Sequence, residues 1–95
     1  MKILWTEAAA EDLESIAAYI AADKPGAAVR QVLLVLNAVE DLVAQHPSIG
    51  RSGRVPGTRE FFITGTPYII AYRVQQKALQ ILRVLHGARK WPEKF

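Results

Sequence analysis

The sequence predicts an α+β fold: a short N-terminal strand and an antiparallel helical hairpin packed on a C-terminal antiparallel β-meander. Three observations carry the prediction. Apolar residues recur at helical spacing through the first 45 residues. β-Branched and aromatic residues crowd three short runs between residues 59 and 86. The connectors inside each region are a few residues long, which sets neighbouring elements antiparallel.

Taken in order, Lys2 to Trp5 reads as a short strand of mixed polarity, expected to pair at a sheet edge. Thr6 is placed to cap a helix whose first turn carries Glu7. Along that helix Ala9, Leu13, Ile16, Ala17 and Ile20 form an apolar face, with Glu11, Asp12, Glu14 and Ser15 opposite, up to about Ala22. Asp23-Lys-Pro-Gly26 ends it, because proline disfavours helix at the residue before it. A second helix is expected from Gly26 or Ala27 to Gln45, with a stripe from Ala28 through Val32, Val35, Leu36, Val39 and Leu42 to Val43. The apolar stripes of both helices read as core.

His46-Pro-Ser-Ile-Gly50 breaks the second helix, with His46 as a stop residue, and Arg51 to Gly57 reads as a basic loop rich in glycine and proline. Arg59 to Thr64, Tyr68 to Val74 and Leu79 to His86 read as strands, joined by Gly65-Thr-Pro67 and Gln75-Gln-Lys-Ala78. With no repeat and no linker, residues 1–95 are expected to form one domain, burying roughly 60 to 65 % of the unfolded surface.

Composition narrows the chemistry. The chain has no cysteine, hence no disulfide, thiol nucleophile or thiolate metal site, and a reducing cytoplasm is the expected location. Its two histidines, His46 and His86, lie forty residues apart without helical pairing, so neither a metal nor a cofactor is expected. Gly50, Gly53 and Gly57 lack the strand and helix that flank a phosphate loop. No apolar run approaches the ~20 residues of a membrane span, and Met1-Lys-Ile-Leu-Trp5 lacks the pattern of a signal peptide.

Charge divides the chain in two. Residues 1–45 carry three basic and seven acidic side chains, net −4, while residues 46–95 carry nine basic and two acidic, net +7. Arg59, Arg73 and Arg83 fall in three different expected strands, so a meander offers them one face and, through planar guanidinium forks, an anion site. The alternative is that each is solvated or pairs with Glu60 or Glu93, and the register decides. His86 ends its strand among arginines that favour a neutral, proton-accepting imidazole; the alternative is a histidine that bonds backbone or closes the core. Arg51, Arg54, Arg73, Arg89, Lys90 and Trp91 are the expected partner-binding residues on the basic loop, sheet and tail, through contacts that weaken with salt. Trp91, Phe95, Tyr68 and Tyr72 suit either base stacking or core packing.

The series Asp12-Leu13, Ile16, Tyr19-Ile20, His46-Pro-Ser-Ile-Gly-Arg51, Arg59, Tyr72-Arg-Val74, Ile81-Leu-Arg-Val-Leu-His-Gly87 and Trp91-Pro92 resembles the RelE/ParE superfamily of toxins from bacterial type II toxin-antitoxin modules, over nearly the whole chain. The resemblance implies a helical hairpin on an antiparallel sheet, growth inhibition, and a hetero-oligomer with a cognate antitoxin. It implies one of two targets, DNA gyrase for ParE-like members or mRNA on the ribosome for RelE-like members. The chain looks closer to ParE through His46-Pro47, Tyr72-Arg-Val74, Arg83-Val-Leu-His86 and the long hairpin. RelE-type enzymes rely on a late tyrosine or a histidine-tyrosine pair, whereas here no tyrosine follows Tyr72 and Gly87 follows His86. Arg59 and Arg83 sit where the nuclease branch holds phosphate, so the implied alternative is an endoribonuclease with Arg59, Arg83 and His86 as catalytic residues. A further alternative is a non-toxic partner of an antitoxin.

Overall fold

The computed structural model describes residues 1–95. Strand β1 (Lys2–Trp5) is followed by helices α1 (Glu7–Ala21) and α2 (Pro25–Asn37), and α2 continues into a π-helical segment, Ala38–Val43. Strands β2 (Arg51–Ser52), β3 (Arg59–Phe62), β4 (Tyr68–Gln75) and β5 (Ala78–His86) complete a sheet of order β1-β5-β4-β3-β2. β2 to β5 form the antiparallel meander, and β1 pairs in parallel with β5 at the edge, Lys2 opposite Ala78 and Trp5 opposite Ile81.

Local chemistry accounts for the boundaries. Thr6 caps α1, its Oγ1 accepting from the Ala9 amide, and the same hydroxyl lies 2.9 and 3.0 Å from the Ile81 and Leu82 carbonyls, tying the helix start to β5. α2 begins at Pro25 itself, one or two residues before the expected start, because a proline at the first helical position gives up only an amide that would be unpaired anyway. The expected regular helix to Gln45 instead widens at Ala38. Val35, Val39 and Val43 are each four residues apart and all fully buried; a turn wider than 3.6 residues keeps that spacing on one face.

The arginine- and glycine-rich stretch expected to be wholly irregular contains β2, where Arg51 pairs opposite Glu60 and Ser52 opposite Arg59. Its composition hides a two-residue strand whose register is fixed by β3. The β4–β5 turn is tighter than expected: Gln76 and Lys77 both adopt positive φ, 53° and 61°, as a two-residue hairpin of matching twist requires.

The core lies between the helices and one face of the sheet. It is built from Ala9, Val35, Val39 and Val43 of the helical layer and Ile70, Tyr72, Leu79 and Ile81 of the sheet. The opposite sheet face, with Ile69, Ala71 and Leu82, is also buried, and Val55 and Thr58 of the 53–58 loop are buried as well. The C-terminal tail returns toward that face: the Gly87 amide donates to the Pro67 carbonyl at 2.8 Å, and a Cβ at Gly87 would lie 3.3 Å from Ile69. No helix is long and apolar enough to cross a membrane.

Candidate functional site

β1 covers β5 only as far as Ile81, so the edge of β5 beyond it needs another partner for its backbone. Asp12 of α1 supplies one. Its Oδ2 accepts the Val84 amide at 2.9 Å and Arg83 Nε at 2.7 Å, while Oδ1 accepts Arg83 Nη2 at 2.8 Å. A bulge in β5 precedes this contact: Ala71 pairs with Arg83 and Tyr72 with Ile81, leaving Leu82 unopposed. Such an extra residue re-aims the side chains beside it. The Asp12 hydrogen bond holds Arg83 charged, raising its pKa further against the opposing effect of burial. Sequence reading put Asp12 on the polar face of α1 and gave it no role; nothing local signals a partner 71 residues away.

Beyond this pair, a cleft of about 670 Å³ opens between α1 and the end of β5, lined by Ser15, Tyr19, Tyr68, Arg83, His86 and Arg89 among others. Tyr19 is 83 % exposed. The His86 ring stands edge-on to Tyr68, centroids 5.9 Å apart at 88°, and its Nδ1 accepts the Ala88 amide at 3.1 Å. That bond assigns the imidazole proton to Nε2 in the neutral ring.

The three strand arginines are not gathered on one face. Arg59 pairs opposite Tyr72, so it shares the core-side face of Tyr72, and Arg73, the next residue along β4, falls on the other. Arg59 Nη1 donates to the Gly50 carbonyl at 2.7 Å and more weakly to Ser48 at 3.4 Å. Tyr72 fastens the same loop: its hydroxyl donates to the Pro47 carbonyl at 2.7 Å and accepts the Gly50 amide at 2.9 Å. Burial raises the Tyr72 phenol above its ordinary value, with the Gly50 amide and the Arg59 charge pulling the other way. A Cβ at Gly50 would stand 2.6 Å from Tyr72 Oη, so no other residue fits there without movement.

The basic loop carries its own counter-charge. Glu60, with a side chain only 2 % exposed, accepts Arg51 Nη2 at 3.1 Å and the Arg54 amide at 2.6 Å, and Arg54 Nε lies 3.5 Å away. The Arg54 guanidinium also stacks 4.0 Å from the centre of the Trp91 ring, pinning the tail to the loop. Of the expected partner-binding residues, Arg51, Arg54 and Trp91 are thus joined to one another or to Glu60. Arg73 donates to the Gln80 side chain at 2.7 Å. Arg89 and Lys90 are exposed on the tail, and no salt bridge involves Arg73, Arg89 or Lys90.

A second surface lies on the hairpin. An apolar groove runs along the seam of α1 and α2, in one stretch past Trp5, Leu13 and Leu36 (about 390 Å³) and in the next past Ala21, Val29 and Leu33 (about 520 Å³), with Ala17 and Val32 in both. Val29 is 60 % and Leu33 50 % exposed. The helical stripes expected to be core therefore divide between core and groove. The signal was present in α2, where apolar residues exceed the roughly 100° arc that one buried face needs.

The chain's relatives agree with this architecture. Residues 3–91 match the family model described as ParE toxin of type II toxin-antitoxin system, parDE. Y4kP of Sinorhizobium fredii is 42 % identical over 92 residues, spanning 97 % of this chain and 94 % of its own. Toxin RelE2 of Caulobacter vibrioides is 34 % identical over 88 residues, spanning 93 % and 97 %. Among solved structures, a chain of the chromosomal ParDE TA system from P. aeruginosa superposes with a TM-score of 0.81 at 31 % identity, covering 90 % of this chain and 95 % of that one. The hairpin, the edge-paired first strand and the meander are thus those of a ParE toxin, and the chain belongs to that family of type II toxin-antitoxin proteins.

Proposed function

We propose that this toxin acts by inhibiting DNA gyrase without catalysing a reaction, and that its antitoxin silences it by laying an apolar segment along the α1–α2 groove. The observation that carries the gyrase reading is the dispersal of the residues a nuclease would need. Arg59 is on the core-side face bonded to loop carbonyls, Arg83 is neutralised by the Asp12 carboxylate, and His86 Nδ1 accepts a backbone amide. Arginines that hold a scissile phosphate must converge on it beside the proton-transferring group, and Arg59 lies outside the cleft that Arg83 and His86 share. Cleavage of mRNA on the ribosome is the second reading, favoured by the placement of Arg83 and His86 in one cleft and by the likeness to a relative named RelE2.

The test is a pair of assays on the antitoxin-free protein. Inhibited plasmid supercoiling with intact mRNA is the expected result; cleaved mRNA with normal supercoiling would replace the gyrase reading with the nuclease one, and His86→Ala would then abolish cleavage. The antitoxin reading is checked separately: Leu33→Asp alters an exposed groove residue and should leave the melting temperature near wild type while weakening antitoxin binding roughly tenfold or more. Unchanged antitoxin binding would remove the groove from the interface.

A further inference from the structure

A cleft of about 530 Å³ lies across the sheet from the hairpin groove, where the N-terminal end of α1, the 55–58 loop and the C-terminal tail meet β4 and β5. Its lining includes Arg73, Arg83 and Lys94 and no acidic residue. The remaining wall is largely apolar, with Val55, Leu82 and the half-exposed Phe95 ring. On the basic loop, by contrast, Glu60 serves both Arg51 and Arg54. Here Asp12 takes only Nε and Nη2 of Arg83, Gln80 takes Nε of Arg73, and Lys94 has no ion pair. Two cations without ion pairs, Arg73 and Lys94, and the remaining donors of the Asp12-paired Arg83 surround one concavity, and low-dielectric walls concentrate the field of like charges.

We infer that this cleft binds the phosphodiester backbone of a nucleic acid. Arg73 and Arg83 are each braced by a hydrogen bond through Nε, which fixes the guanidinium plane before a phosphate arrives. Lys94 adds a mobile point charge, and the Phe95 ring offers a stacking surface to any unpaired base. Lys77, exposed at the β4–β5 turn, and Lys90, exposed on the tail, extend the positive charge beyond the cleft. The apolar, acid-flanked hairpin suits a protein segment; the basic cleft on the other side of the sheet suits phosphate. The inference deepens the gyrase reading by placing the toxin against the DNA that gyrase handles, and it is measured without gyrase.

The experiment titrates antitoxin-free toxin into a fluorescein-labelled duplex oligonucleotide, and into its single strand, following anisotropy across a salt series. Binding that weakens with salt is expected for either form, and the tighter of the two identifies the source of the phosphodiester. Arg73→Gln combined with Lys94→Gln, two exposed changes outside the core, should weaken binding roughly tenfold and lower the logarithmic salt slope by about two. Arg30→Gln, on the hairpin, should change neither. The inference is overturned if the double variant binds like wild type, if Arg30→Gln weakens binding equally, if no oligonucleotide binds at low salt, or if polyglutamate of equal charge displaces the oligonucleotide as well as unlabelled DNA does. Supercoiling assays separate the two readings: wild-type toxin that inhibits gyrase but binds no oligonucleotide removes only this cleft, and wild-type toxin that binds oligonucleotide without inhibiting gyrase removes only gyrase as target.

Discussion

The helical hairpin and the β4–β5 sheet use apolar residues in opposite ways. β4 buries Ile69, Ile70, Ala71 and Tyr72 to 2 % exposure or less, on both faces of the sheet, whereas the fifteen-residue α1 fully buries only Ala9. Leu33 and Val29 of α2 remain half or more exposed in an apolar groove. The sheet is a finished structural unit and the hairpin an unfinished one. Substitutions in the sheet should be read in stability, and substitutions along the hairpin groove in binding.

The largest effect should come from Gly50→Ala, which forces a Cβ to within 2.6 Å of Tyr72 Oη and 2.9 Å of the Glu60 carbonyl; a loss of about 3 kcal/mol or more in denaturant unfolding is expected. Asp12→Ala follows. It lies on the hairpin yet serves the sheet, leaving Arg83 and the Val84 amide without their acceptor, and about 2 kcal/mol should be lost, since an unsatisfied polar group costs more than its bond contributes. If Asp12→Ala left the unfolding midpoint unchanged, the division between the two regions would be cleaner than the structure indicates.

Tyr72→Phe removes both hydrogen bonds to the 47–50 loop and should cost about 1 kcal/mol at neutral pH. It also carries a pH signature. The folded-state pKa of Tyr72 lies above the ordinary value of 10.0, so in the window between the two values the unfolded chain releases a proton that the folded chain keeps. Stability from this source is complete below the unfolded pKa and is lost as pH rises through the folded one. The wild-type chain should therefore be more sensitive to alkali than Tyr72→Phe, and equal alkaline unfolding curves would count against it.

The smallest effect should be that of Arg54→Gln, which removes the guanidinium from the Trp91 ring at a partly exposed site. A change within about 1 kcal/mol is expected in global stability, but the tail should loosen, so trypsin should cut after Lys90 faster than in wild type. An unchanged cleavage rate would mean that the stack does not hold the tail.

The fold was readable wherever a residue's neighbours decide its state. Thr6 followed by Glu7, Pro25 followed by Gly26, and the β-branched and aromatic runs of β4 and β5 all announce their structure within a few positions. β2 was not readable, because Arg51 and Ser52 become a strand only through pairing with β3. The site was legible in composition more than in geometry. The surplus of cations after residue 46 marks the basic half, but which are neutralised depends on contacts such as Asp12 with Arg83 and Glu60 with Arg54, which register and packing create. The expected gathering of Arg59, Arg73 and Arg83 failed for that reason: Arg59 and Arg73 stand opposite and beside the same tyrosine.

The parallel pairing of β1 with β5 joins the first strand of the protein to the last. Thr6 bonds to carbonyls 75 and 76 residues away, and α1 is anchored through Asp12 to the same strand, 71 and 72 residues along the chain. During synthesis none of these contacts can form until β5 has left the ribosome, and long-range pairings of this kind are slow to close. A fragment truncated before residue 78 lacks the strand on which β1, Thr6 and Asp12 all depend, and so cannot close this fold. The layers of helix and sheet therefore close together, as one late step, once β5 is available to both.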